Sequence, residues 1–559
     1  MDGTQQPKIS PFLAELVSRI MKIRTRQDYL FGFSALSLLV CAMVCAGVLL
    51  CLSCGGGGSS SNLSDPPPPA VVPLTAADVT AVVQNAVLSV NAPMVVAVAD
   101  RAGNILAVFE TTGAPTTSVG NFGQTVPADE LAVALARTAA FFSNDQAPLS
   151  SRTVRFISGI HFPPGVAGTP NADLYGIENT NRGCTLTANF LPGQALNPSR
   201  SIDGTQPGLG IITGKADLND SIPYPSAVNP GGVPLFKGGP VGTAGVGVVG
   251  GVGVVSTSPE IAEFAAFTAA GKSNLLDLSQ VPPPGVVIVG GIALPFVNQT
   301  SQPSGTSPGT TVAGAYEVGP LAGTLPPEGY LVGPNSGSAL SQSEVDEIIM
   351  NAVATAKTTR AVIRLPSGSK ARMTIAVSDL DGTILGFYRM SDGTVFSADV
   401  AASKARNVIW FSSAGVTDLP GVPSGTAVTN RTVSFGAQPL FPPGIDGSGN
   451  GPFFSLYRYD TTHPCTQGSD TAGNMSGIVF FPGSLPLYRN GVLVGGLGVS
   501  GDGVDQDDFV TGGAVNAACG AGGPCGVPDF QAPANIRADQ VVIQNVRLPY
   551  LKFPRNPTD

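Results

Sequence analysis

The chain carries one pattern twice, and no other feature of its sequence limits the fold as tightly. LTAADVTAVVQNAV (74–87) matches LSQSEVDEIIMNAV (340–353), and VVAVADRAGNILAVFE (95–110) matches TIAVSDLDGTILGFYR (374–389). ARTAAFFS (136–143) matches ARNVIWFS (405–412), which holds Trp410, the single tryptophan. SRTVRF (151–156) then matches NRTVSF (430–435), and an FPPG follows at 162–165 and at 441–444, running on to Cys184 and Cys465. The last block pairs GVPLFKGGPVGTAGVGVVGGVGVVSTSPEIAE (232–263) with GSLPLYRNGVLVGGLGVSGDGVDQDD (483–508), and the tails 285–297 and 540–552 also agree.

Each block has a readable local structure. Val79, Val82, Val83 and Val87 follow helical spacing, with Thr75 placed to cap the helix. The second block reads as two alternating strands around an Asp/Gly turn, and Asn490-Gly491 sets a two-residue hairpin turn. Each copy therefore reads helix, hairpin, helix, an irregular Pro/Gly insert, hairpin, helix and terminal strand. The economical solution is an α+β fold: an antiparallel sheet with helices packed on it. The predicted organisation is a signal or anchor (1–54), a flexible tether (55–73), domain 1 (74–297), a linker (298–339) with a short ordered piece around Tyr316 and Tyr330, and domain 2 (340–559).

Composition excludes one class of partner. With 29 Lys+Arg against 38 Asp+Glu, and no basic stripe, the surface repels phosphate backbones, so nucleic acid is dropped. The 71 glycines and 49 prolines suit a turn-rich extracytoplasmic protein of short strands. Leu30 to Ser53 is uncharged, follows Lys22, Arg24 and Arg26, and is long enough to span a bilayer. It ends at Ser53-Cys54 before GGGGSSS, which resembles a bacterial lipoprotein signal with Cys54 lipidated. An uncleaved transmembrane anchor is the alternative, and either one places residues 55–559 outside the cytoplasm, in the periplasm or at the cell surface, tethered to the membrane.

In an exported chain, cysteines tend to pair. Cys519 and Cys525 are spaced for a local disulfide, with a pair of free thiols as the alternative. Cys184 and Cys465 are equivalent by repeat, and they form either a bridge between the copies or two separate buried thiols. Both glycine runs, Gly245-x-Gly247-x-x-Gly250 and Gly496-x-Gly498-x-x-Gly501, satisfy the dinucleotide fingerprint by letters. They close a hairpin late in the domain rather than opening a βαβ unit, so close strand packing explains them better. Asp502, Asp505, Asp507 and Asp508 fit no calcium loop and read as a helix start. The two histidines, His161 and His463, are not equivalent, and no G-x-S-x-G or HExxH is present, so no catalytic residue is assigned.

The blocks 373–408 and 486–508 resemble the GlcG/HbpS-like haem-binding family, whose pattern copy two carries in order: Asp379, Gly382, Arg389, Met390, Asp392, Gly393, Ser397, Lys404, Ala405 and Gly498 to Gly501. The resemblance implies two tandem profilin-like α/β/α domains, self-association, and binding of haem or another flat tetrapyrrole. The implied contacts are Arg389, Met390, Ser397, Lys404, Gly498 and Gly501, with His463 as a candidate haem ligand. Copy one departs from the pattern: Glu110-Thr111 stands for Arg389-Met390, and Leu135 for Lys404. Copy two is therefore the expected binder. The alternatives are a structural or interaction protein of the envelope without cofactor and, last, an enzyme acting on a small organic molecule.

Overall fold

In a computed structural model, residues 70–187, 196–197, 199–205, 207–214, 228–469, 476–515 and 530–558 are described. Residues 68–559 form one compact unit. Among the described residues no helix is long and apolar enough to cross a membrane. The segment Leu30–Ser53, Cys54 and the Cys519/Cys525 pair lie outside the described residues.

Copy one runs α1 (Ala76–Ser89), β1 (Met94–Asp100), β2 (Ile105–Thr111), α2 (Ala128–Phe142) and the short α3 (Ser151–Phe156). After the insert come β3 (Gly232–Lys237), β4 (Gly247–Ser256) and α4 (Pro259–Lys272). The connecting stretch contributes β5 (Gly314–Val318) and β6 (Gly329–Val332). Copy two follows with α5 (Gln342–Thr358), β7 (Thr374–Ser378), β8 (Ile384–Arg389), α6 (Phe396–Ser412), α7 (Asn430–Gly436), α8 (Phe454–Thr462), β9 (Ser484–Arg489), β10 (Val492–Ser500) and α9 (Val504–Val515).

The two sheets have the same order, β3-β4-β1-β2-β5 and β9-β10-β7-β8-β6, and every neighbouring pair is antiparallel. Their register is the same too: Ala97 faces Gly253 in copy one, and the equivalent Ala376 faces Gly498 in copy two. Residues 298–339, expected as a linker, supply the outer strand of each sheet. Tyr316 packs edge-on against Phe109, and Tyr330 against Tyr388.

Helices cover both faces of each sheet, so the alternation read from the sequence does not mark one wet face. On β1, Met94, Val96 and Val98 join the core under α1 and α4, while Val95, Ala97 and Ala99 join the core under α2. All seven residues of the strand are buried. Thr75 caps α1 through a capping box with Asp78, and Ser341 does the same for α5 with Glu344. Asn490 and Gly491 both adopt positive φ, the backbone of the tight hairpin turn between β9 and β10.

The copies meet through their inserts. Cys184 and Cys465 form a disulfide, with Cα atoms 5.4 Å apart. Of the two arrangements open to these cysteines, the bridge between copies is the one found. Tyr175 stacks on its own equivalent Tyr457 with ring centroids 5.1 Å apart. Contacts between equivalent residues are what a local two-fold relation produces. The relation is broken elsewhere, because Phe142 stacks on Phe396 at 4.0 Å where copy one has Pro127.

Candidate functional site

The glycine-rich strands β4 and β10 lie directly under a helix. A Cβ at Gly251 or Gly253 would come within 2.2 and 2.0 Å of the carbonyls of Ala136 and Ala132 on α2. At the equivalent Gly496 and Gly498 it would reach 2.1 Å from those of Ala405 and Ala401 on α6. Glycine is required because helix and strand backbones touch. The letters of the dinucleotide fingerprint thus record helix-on-sheet packing, and Gly498, an implied ligand contact, is buried beneath α6.

Arg389 ends β8, and Met390 and Asp392 follow it in the turn. Arg389 is fully buried and donates to the carbonyls of Gly393 at 2.5 Å and Pro327 at 3.1 Å. Burial pushes its guanidinium pKa down to about 10. Met390 lies in the core under α5. Asp392, with φ 56°, is the hub where the copies join. It accepts from Arg101 of copy one at 2.6 Å, from Arg364 at 2.5 Å, and from the Asp145 amide at 3.1 Å. Burial works against its charge, but Arg101 and Arg364 outweigh it and hold the carboxyl at about 2.

The acidic start of α9 pairs with cations rather than simply answering the helix dipole. Asp502 binds Arg364, Asp505 and Asp508 bind Arg431, and Asp507 Oδ2 accepts from Lys404 Nζ at 3.0 Å. Lys404 is fully buried, donates also to the Val499 carbonyl at 2.8 Å, and sits 4.9 Å from the Phe481 ring centroid. Burial lowers the Lys404 pKa and raises that of Asp507 to about 7. Asp507 Oδ1 is buried and accepts no hydrogen bond among the described residues.

Asp507 lines a cleft between the copies. Its inner chamber, of about 170 Å³, is walled by Ile157, Phe162 and Leu174 of copy one and by Val362, Phe396 and Phe481 of copy two, with Ser500, Gly501 and Asp507 at its polar end. Through Phe162, Asp173, Val289 and Val362 it shares a wall with an outer basin of about 740 Å³. Arg360, Arg364, Lys552 and Arg555 line that basin. Arg364 and Lys552 are already paired with Asp392 and Asp505. Arg360 and Arg555 make no ion pair among the described residues.

The expected contacts are therefore scattered. Of the six, Gly501 lines the chamber; Ser397 sits behind it, accepting from the lining Ser500 at 3.1 Å and sharing a hydrogen bond with Thr394 at 2.8 Å. Lys404 reaches the chamber through Asp507. His463 is exposed, stacked on Tyr459 at 3.8 Å, and lines neither chamber nor basin. His161 is bound to Asp446 of the other insert at 2.9 Å. The cleft does not belong to copy two alone, because copy one supplies about half its walls. Arg360 and Arg364 are not among the contacts expected from sequence. They lie in the α5–β7 connection, residues 359–373, whose counterpart in copy one is only residues 90–93. That difference in length is the signal that could have found them.

Comparison with known proteins now adds a family. Residues 340–516 match the family model described as haem degrading protein HbpS-like. The corrinoid adenosyltransferase PduO of Salmonella typhimurium is 27% identical over 149 residues, covering 27% of this chain and 33% of that protein. The match thus spans about a third of that relative's length. Among solved structures, a PduOC:heme complex (23% identical, TM-score 0.21) is covered over 92% of its length by 32% of this chain. The Klebsiella pneumoniae protein ORFY (17% identical, TM-score 0.21) is covered over 90%, again by 32% of this chain. Residues 340–516, within the second copy of the repeat, are therefore similar to the HbpS-like family, a match that covers about a third of the chain.

Proposed function

We propose that the chain is an exported, membrane-tethered binding protein that holds haem or another tetrapyrrole in the cleft between its two copies. The observation that carries this reading is the cleft's polarity: an apolar chamber opening into a basin where Arg360 and Arg555 have no carboxylate partner among the described residues. A flat macrocycle with peripheral carboxylates presents the complementary arrangement, an apolar body and an anionic edge. The family description names haem, and a relative is named for corrinoid chemistry, which supports the same ligand class.

The residues fit the organic part of such a ligand. Phe162, Phe396 and Phe481 would hold the ring, and Arg360 and Arg555 its carboxylates. Among the described lining residues there is no His, Cys, Met or Tyr to ligate iron. The reading is therefore of ring and carboxylate recognition. Export and tethering rest on the apolar N-terminal run and Cys54.

The test is titration of the purified full chain, in mild detergent, with hemin and with metal-free protoporphyrin IX, followed by visible absorption. One saturable site per chain is expected. Changing Arg360 and Arg555 together to Ala should weaken binding about thirtyfold, since each lost charge-assisted contact is worth on the order of 1 kcal/mol. No saturable change with either compound would refute the reading and leave an envelope structural or interaction role in its place.

A further inference from the structure

The buried pair Lys404–Asp507 is not needed to build this fold. Copy one has Leu135 and Ala262 at the equivalent places, both buried. The next residue fixes the equivalence: Glu263 pairs with Arg152 in copy one as Asp508 pairs with Arg431 in copy two. Copy two thus keeps the shared ion pair and adds a second, with Lys404 at 0% and Asp507 at 2% exposure. Burying it costs desolvation that apolar side chains avoid. Lys404 is occupied by Asp507 Oδ2, the Val499 carbonyl and the Phe481 ring. Asp507 is only half satisfied: among the described residues Oδ1 is buried without a partner, on a residue that lines the apolar chamber. An anionic oxygen left open in such a place costs stability unless an occupant of the chamber supplies its partner.

We infer that Asp507 Oδ1 is the protein's ligand to the iron of ferric haem held in the chamber. A flat macrocycle keeps its nitrogens in the ring plane, so what it offers to a group above its face is the metal. Ferric iron is a hard cation that an anionic oxygen suits, as a tyrosinate does in some haem proteins. The described residues of the chamber include no His, Cys, Met or Tyr to compete for it. Asp173, the other carboxylate of the lining, is exposed, so water meets its charge and nothing in the chamber is required to. Lys404 is the positioning residue: it holds Oδ2 and so leaves Oδ1 for the metal. The inference rests on the tetrapyrrole reading of the cleft and specifies the iron-loaded ring in its ferric state.

The experiment titrates the full chain, in mild detergent, with hemin and with metal-free protoporphyrin IX, reading visible absorption, porphyrin fluorescence and electron paramagnetic resonance. Four proteins are compared: the wild type, Asp507→Asn, Asp173→Asn, and Lys404→Leu/Asp507→Ala, which copies the pair found in copy one. Asparagine can keep its oxygen on Lys404 but brings no negative charge to the metal. The double variant guards against a failure of Asp507→Asn to fold. The wild type should bind hemin at least about tenfold more tightly than the metal-free ring, the margin that the iron contact adds. Its resonance should be that of high-spin ferric iron, because a carboxylate is a weak-field ligand. Both Asp507 variants should lose the preference while affinity for the metal-free ring moves less than about twofold, and Asp173→Asn should keep it. Asp507 is not the ligand if hemin binds no tighter than the metal-free ring, if the wild-type iron is low-spin, or if the preference survives both Asp507 variants or vanishes in Asp173→Asn; the cleft reading then stands without it. If neither compound binds the wild type, the cleft reading itself falls and takes this inference with it.

Discussion

The contact most exposed to a quantitative test is Asp392, where the two copies are tied by charge. Its carboxyl sits at about 2 in the folded chain against an ordinary value of 3.8, because Arg101 and Arg364 outweigh the cost of burying it. At about 1.4 kcal/mol per tenfold change, that difference is about 2 kcal/mol of folding stability. The sign follows from a depressed folded value. The stabilisation is complete above the unfolded value near 4 and is lost as pH falls through 2. Asp392→Asn keeps the shape of the side chain and removes the charge, so it should be about 2 kcal/mol less stable than the wild type at pH 6. The gap should close as the pH approaches 2. Urea midpoints read from Trp410, which lies on α6 and donates to Asp418, give the measurement across the pH series. A gap that stays constant from pH 6 to pH 2, or no gap at pH 6, would refute the argument that Arg101 and Arg364 hold this carboxylate charged.

Two further outcomes are expected from the same assay. Gly498→Ala drives a Cβ to 2.1 Å from the Ala401 carbonyl and 2.6 Å from the Ala405 amide, so it should cost about 3 kcal/mol or more, whereas Gly449→Ala, with open space at the Cβ, should stay within about 0.5 kcal/mol. Removing the Cys184–Cys465 bridge by changing both residues to Ser frees a loop closed over a sequence separation of 281, and on chain-entropy grounds should cost up to about 5 kcal/mol; an unchanged urea midpoint would show that the bridge contributes nothing.

Local order was legible in the sequence wherever a short-range rule operated. The capping box at Thr75, the turn at Asn490-Gly491 and the helix holding Trp410 all depend on neighbours within a few residues. Comparing the copies also exposed a shared plan that one copy alone would not have revealed. What it hid was long-range. The residues of β1 alone do not tell a half-wet strand from one covered on both faces; the two helical layers that bury it are expected only from the family resemblance. Lys404 and Arg389 are expected as ligand contacts because they fall on the family pattern; in the structure they are closed on Asp507 and on backbone carbonyls. The cleft was invisible for a related reason. Its walls come from the insert of copy one and from the α5–β7 connection, α6 and the start of α9 in copy two, some two hundred residues or more apart along the chain.

The strands between the copies have a consequence for how the chain can be divided. β5 closes the sheet of copy one and β6 closes that of copy two, so the connecting segment works as a splint bound to both. A fragment cut to the family match at residue 340 would leave β6 behind and strip Tyr330 from Tyr388. The exposed rim of β8 would then offer an unpaired row of amides and carbonyls to any extended chain nearby, its own copies included. A piece of copy two that begins upstream of Gly329 keeps that rim sealed. Self-association seen with a shorter piece would report the cut and not the protein.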